Sequence, residues 1–152
     1  MQFNQLLSPE LTFIDFEGIS KKRVLENSSK LIAERTEGQT AELLFSGLLS
    51  REKLGSTGIG QGIAIPHCRI QDLEHATAAL IKLKDPIDFD AIDNAPVDIL
   101  FLLLVPEEAC DEHLNTLARL AEVFSDDANL SALRNCSEAS QLYDTALELL
   151  ND

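Results

Sequence analysis

The segment Val97–Val105, VDILFLLLV, is apolar at every position except Asp98, and from Ile99 onward it carries no polar side chain at all. A β-strand sends successive side chains to opposite faces, so a run of this kind, read as a strand, must be covered on both sides. It is far too short to cross a bilayer, which takes about 20 apolar residues in a helix. Two covering layers must therefore come from the rest of the chain, and amphipathic helices are the elements that supply them. The expectation is an α/β fold with helices on both faces of a central sheet.

Helical periodicity is present on either side of this strand. Ser20 is placed to cap a helix in which Val24, Leu25, Leu31 and Ile32 recur, and Gly38 ends it. A second helix is expected from Thr40 to Lys53, with Leu43, Leu44, Gly47, Leu48 and Leu54 on its inner side. After Pro106, Cys110, Leu114, Leu117, Ala121 and Phe124 form one stripe at steps of four and three. Leu130 and Leu133 suggest a short helix, and Ser137 is the expected cap of a last one carrying Leu142, Ala146, Leu149 and Leu150. Strand signals fall at Phe13–Phe16, read as an edge strand, at Gly62–Pro66 and at Ala76–Leu83, with a brief extended piece at Ile87–Phe89. Neither an internal repeat nor a linker divides the 152 residues, which read as a single domain, 1–152.

The N-terminus has neither the basic start nor the apolar stretch of a signal peptide, and the expected compartment is the cytoplasm. The three cysteines, Cys68, Cys110 and Cys136, form no C-x-x-C pair, so free thiols in a reducing compartment are expected rather than a zinc ribbon or redox dithiol. Twelve basic against 26 acidic residues give a formal charge of −14, which argues against general nucleic-acid binding. The same balance means that any anion site must create its positive potential locally.

The chemistry is concentrated in GSTGIGQGIAIPH, Gly55–His67. Gly58, Gly60 and Gly62 are spaced G-x-G-x-G, not as a dinucleotide fingerprint, and a strand-like segment follows them where a phosphate-binding helix would begin. The glycines fit either a structural loop with positive-φ turns or a concavity of backbone N–H groups that takes an anion. Pro66 fixes its own φ and keeps Ile65 extended, so the chain enters His67 rigidly. His67 is then either an ordinary hydrogen-bonding residue at a strand end or a nucleophile, since a neutral imidazole is available near neutral pH. His113 stands at the start of the helix after Pro106, where the dipole favours an anion close by, or it is an ordinary partly buried histidine beside Leu117 and Phe124. Arg51 closes the preceding helix four residues before the loop. His67 and Cys68, pointing to opposite sides of an extended chain, make a poor metal pair, and no nucleophile elbow G-x-S-x-G occurs. No metal and no cofactor are expected.

Wording adds what spacing does not. SREKLGSTGIGQGIAIPH resembles the active-site segment of enzyme IIA of the mannitol/fructose class (EIIA type 2) in the bacterial phosphoenolpyruvate-dependent phosphotransferase system. DPIDFDAIDNAPVDILFLLLVP followed by HLNTLARLAEVFSD is similar to the nitrogen-related branch of that class, and the likeness runs from about Ser20 to the C-terminus. The resemblance implies a three-layer α/β/α sandwich with a central mixed β-sheet. It implies that His67 accepts a phosphoryl group, as a tele-phosphohistidine, from a small HPr-like carrier. His113 corresponds to a second active-site imidazole and Arg51 to the arginine that neutralises developing charge, while Gly58, Gly60 and Gly62 make room as a phosphate-binding loop. Nitrogen-related members regulate partner proteins through their phosphorylation state. The alternatives are a sugar-specific IIA of a fructose- or mannitol-type permease, and a non-phosphorylated binding module on the same fold. One departure stands out: the family commonly has glycine after the active histidine, and here Cys68 follows, as a tolerated small residue or as an oxidation-sensitive thiol.

Overall fold

The computed structural model describes residues 3–108 and 111–151. A short helix α1 (Phe3–Leu6) and a 3₁₀ turn at Pro9–Leu11 lead into β1 (Thr12–Phe16). Helices α2 (Lys21–Arg35) and α3 (Ala41–Lys53) follow, then β2 (Gly58–Gly60), β3 (Ile63–Ala64), β4 (His67–Ile70), β5 (Thr77–Ile87) and β6 (Val97–Pro106). The chain closes with α4 (Asp111–Val123), α5 (Asp127–Arg134) and α6 (Ala139–Asn151).

The strands form one mixed sheet in the order β1-β5-β6-β3-β2, with β4 also paired to β6. β1 is an edge strand, as expected, and runs parallel to β5. β6 pairs antiparallel with β5 along one side. Its other side is shared by two short parallel partners, β3 at Ile99–Leu100 and β4 at Leu103–Pro106. The ladder breaks where Pro66, having no N–H, cannot donate. Its carbonyl still accepts from Leu103 N, at 2.8 Å.

Burial on β6 follows the alternation its sequence demands. Ile99, Phe101, Leu103 and Val105 face a core completed by α1, α4, α5 and α6. Leu100, Leu102 and Leu104 face the opposite core, under α2 and α3. Three layers, helix–sheet–helix, result. Each of these side chains contributes roughly 1.5–3 kcal/mol by leaving water. The cap read from sequence at Ser20 forms, its hydroxyl accepting from Arg23 N, and Thr40 caps α3 in the same way by accepting from Leu43 N, each at 3.2 Å. At the last helix the roles reverse, and the Gln141 side chain accepts from Ser137 N and Glu138 N.

Four apolar positions differ from expectation. Leu43 and Leu54, read as inner residues of α3, are 45% and 85% exposed, while Leu44, Leu48 and Glu52 are its buried positions. On α4 the buried side belongs to Leu120, Val123 and Phe124; Leu114 is 63% exposed and Leu117 partly so. Cys110, first residue of the expected stripe, lies outside the described residues. Leu54, Leu114 and Leu117 all line one cavity, so their apolar character serves a surface hollow as well as the core. β4 is an element the sequence does not announce, because HCRI is short and mixed in polarity and shows only as a continuation of the β3 line.

Gly47 sets how closely α3 packs on β4. A Cβ there would stand 3.0 Å from Cys68 Sγ and 3.3 Å from Ile70 Cδ1. Gly47→Ala is expected to lower stability by about 1–3 kcal/mol through overpacking. Cys68→Ala in the same chain should recover part of that loss, because it removes the closer atom. Urea unfolding of the two single variants and the double variant measures the coupling.

Candidate functional site

His67 opens β4, immediately after the proline break. The Ile65 N–H is tied to Thr57 O at 3.0 Å, which anchors the chain just before Pro66. The Ile65 carbonyl turns toward the imidazole, and His67 Nδ1 lies 2.8 Å from that oxygen. A carbonyl only accepts, so Nδ1 carries the proton and donates. The neutral ring therefore keeps its lone pair on Nε2. One hydrogen bond has chosen the tautomer and left a single nitrogen available as a nucleophile.

The ring lines a cavity of about 500 Å³. Arg51, from the last turn of α3, and His113, from α4, are also in its walls. The three side chains singled out in the sequence thus meet at one hollow, although they come from three different elements. Arg51 Nη1 donates to Gly55 O at 2.9 Å, which holds the guanidinium at the helix end. His113 Nδ1 is buried and has no hydrogen-bond partner among the described residues.

Arg69 also lines the cavity, and nothing in the sequence singles it out. It lies two residues beyond His67 on the same strand and so shares its face. That phase is readable only once β4 is known to be a strand. Arg69 Nη1 donates to Glu107 O at 3.4 Å. The exposed side chains of Leu54 and Leu114 complete an apolar rim.

The imidazole of His67 holds its proton less tightly than an ordinary histidine, whose pKa is 6.5. Burial is the main cause, and the nearby positive charge of Arg51 acts in the same direction. The hydrogen bond to Ile65 and the charge of Glu52 oppose them. The net direction keeps the ring neutral, and hence nucleophilic, at and below neutral pH.

Gly58, Gly60 and Gly62 are not among the residues lining this cavity. They build the β2–β3 hairpin, whose turn holds Gly60, Gln61 and Gly62 at φ of 99°, 59° and 85°. Gly60 faces Asp93, and Gly62 approaches Asp98 and Arg134, so a carboxylate stands against each. Asp93 accepts the Gln61 N–H at 2.9 Å, and Arg134 forks onto Asp98 with two contacts of 2.9 Å. Of the two readings of these glycines, the geometry here matches the structural loop, bolted to α5. Cys68 borders the same cavity, but its thiol is buried in the core under α3, and desolvation pushes its pKa up to about 12. A thiol held that high is a poor nucleophile, which disfavours the oxidation-sensitive reading.

Residues 5–148 match the family described as "Phosphoenolpyruvate-dependent sugar phosphotransferase system, EIIA 2". The chain is 42% identical over 151 residues to a nitrogen regulatory protein of Pseudomonas aeruginosa, covering 99% of this chain and 98% of the relative. It is 42% identical over 144 residues to a nitrogen regulatory protein of Escherichia coli, with 94% and 88% covered. Among solved structures, Nitrogen Regulatory Protein IIA-Ntr from Neisseria meningitidis superposes with a TM-score of 0.89 at 38% identity, over 97% of this chain and 98% of that one.

An imidazole with this balance of forces should titrate below pH 6.5 in NMR, and Arg51→Ala should move its midpoint upward by removing one of the two causes that depress it. Cys68 should resist alkylation at pH 8 in the folded protein and react on unfolding, since its thiolate is scarce that far below a pKa of about 12.

Proposed function

The chain belongs to the EIIA 2 family of the phosphoenolpyruvate-dependent sugar phosphotransferase system, and on that premise we propose that it is a phosphocarrier of the nitrogen-regulatory kind, accepting a phosphoryl group on His67 Nε2. The observation that carries this reading is the tautomer: Nδ1 is committed to the Ile65 carbonyl, and Nε2 is left for the cavity that Arg51 and His113 also line.

The donor would be a phosphohistidine on a small HPr-like carrier. The lone pair of His67 Nε2 forms a new N–P bond as the donor's N–P bond breaks in line, and the departing electron pair stays on the donor imidazole. With a proton on the donor ring's other nitrogen and one on His67 Nδ1, the donor departs as neutral imidazole and no proton has to move in that step. The protein's contribution is position and charge stabilisation, which is most of what phosphoryl transfer asks of a catalyst. Arg51 neutralises charge on the phosphoryl oxygens, His113 contacts the same group, and Arg69 adds a second cation. Leu54 and Leu114 are the apolar rim that the carrier would cover.

The phosphorylation state would then serve a regulatory role, since the 42%-identical relatives carry the name nitrogen regulatory protein. Among the described residues no helix is long and apolar enough to cross a membrane.

Incubation with phosphoenolpyruvate, an enzyme I and an HPr-type carrier should place an acid-labile, alkali-stable phosphate on this chain. His67→Ala should abolish the label, and His113→Ala or Arg51→Ala should slow its appearance about 100-fold. Labelling of His67→Ala at the normal rate would overturn the assignment. Drainage of the label by a sugar together with a membrane fraction would favour the permease role.

A further inference from the structure

Glu52 is the one carboxylate held in the core among the described residues. Only 3% of its side chain is exposed, and taking a carboxylate out of water costs several kcal/mol unless it is well partnered. Its partners are Lys21 and Thr57. The Lys21 ammonium lies 2.9 Å from Oε1, which also accepts the Thr57 N–H at 3.1 Å. Oε2 accepts the Thr57 hydroxyl. Lys21 in turn sits 4.7 Å over the ring of Phe89 and donates to the Phe89 carbonyl at 3.4 Å. The start of α2, the end of α3 and two loops are thus tied at one charged pair.

That pair is linked to the nucleophile by an unbroken series of hydrogen bonds. Both donors of Thr57 are fixed by Glu52, and the Thr57 carbonyl accepts the Ile65 N–H at 3.0 Å. The Ile65 carbonyl accepts from His67 Nδ1 at 2.8 Å. The tautomer of His67 therefore depends on where the Ile65 carbonyl points, and residue 65 is anchored at its N–H through Thr57 by Glu52.

We propose that the buried Lys21–Glu52 pair is the positioning device of the site: acting through Thr57 and Ile65, Glu52 holds His67 in the Nδ1–H tautomer with Nε2 presented to the cavity. The role rests on the reading of His67 as phosphoryl acceptor, but the effect on the ring exists without any donor. Glu52 also bears on the ring through space. The charged and titratable groups around His67 are Arg51 and Glu52 from α3, Cys68 and Arg69 on its own strand, and His113 from α4. Lys21 and Asp90 stand on the far side of Glu52. Of these, the Glu52 charge raises the proton affinity of the imidazole while Arg51 lowers it. Neutralising Glu52 should therefore loosen the tautomer and move the titration further down.

The test is ¹⁵N NMR of the His67 ring in wild type, Glu52→Gln and Thr57→Val, with no carrier present. Wild type should hold the Nδ1–H tautomer. Glu52→Gln should populate the Nε2–H form and titrate at lower pH, whereas Thr57→Val, which keeps the carboxylate, should disturb the tautomer alone. With an HPr-type carrier at pH 7, Glu52→Gln should accept phosphate about tenfold more slowly at unchanged KM for the carrier, a loss of alignment rather than of docking. If Glu52→Gln does not fold, Lys21→Met/Glu52→Gln removes both charges together and should shift tautomer and titration in the same way. A folded Glu52 variant with the wild-type tautomer and titration would overturn the proposal. A shifted tautomer in a protein that takes no phosphate even as wild type would uphold the positioning role and remove the phosphocarrier reading instead.

Discussion

A strand buried on both faces survives only if its backbone is also paired on both edges, because an unpaired amide in the core costs about as much as a lost hydrogen bond. β6 meets that demand with β5 along one side and with β3 and β4 in succession along the other. The break between β3 and β4 falls at Ile65 and Pro66: Ile65 N is satisfied off the strand by Thr57 O, while Pro66 O still accepts from Leu103 N of β6. The Ile65 carbonyl is thereby turned to the imidazole of His67. The site exists because the most apolar strand of the chain has one interrupted neighbour.

Dependence on that strand also decides which parts of the molecule are legible in the sequence. Val97–Val105 announces its own double burial, and that alone requires three layers. Arg51, His67 and His113 can be named from the wording around them, and they line one cavity. Amphipathic periodicity misjudges Leu43, Leu54 and Leu114, since it reports that a residue is apolar but not whether a helix, a sheet or only a shallow hollow stands opposite. The glycine spacing leaves loop and cradle both open for a related reason: Asp93 and Asp98 line the space beside Gly60 and Gly62, and their approach depends on pairing that no local motif encodes. Glu52 leaves no signal at all. Next to Arg51 in sequence it reads as one more solvated acid, and its burial depends on Lys21, which arrives from another helix.

The excess of acid does not conflict with an anion-accepting site. Arg51 and Arg69 stand in the cavity walls, and Glu52, the one carboxylate buried near them among the described residues, is countered by Lys21. Charges on the outer surface are screened within about 10 Å at ordinary ionic strength, whereas groups that share a partly dry cavity are not. The potential felt at His67 is set by its few neighbours rather than by the net charge of −14.

Those neighbours act on the two requirements of the chemistry together. A guanidinium beside an imidazole makes protonation of the ring less favourable and the approach of a phosphoryl group more favourable, so Arg51 serves nucleophile and electrophile with one charge. Burial adds to the first effect by penalising the imidazolium. Left unopposed, both would also weaken the ring as a nucleophile, since a nitrogen that binds a proton poorly tends to bind phosphorus poorly too. The Ile65 hydrogen bond and the Glu52 charge push back, restoring electron density to a ring that stays neutral. Basicity at Nε2 is thus held between two opposing pairs of causes, and the hydrogen bond that restores part of it is the same one that selects the tautomer.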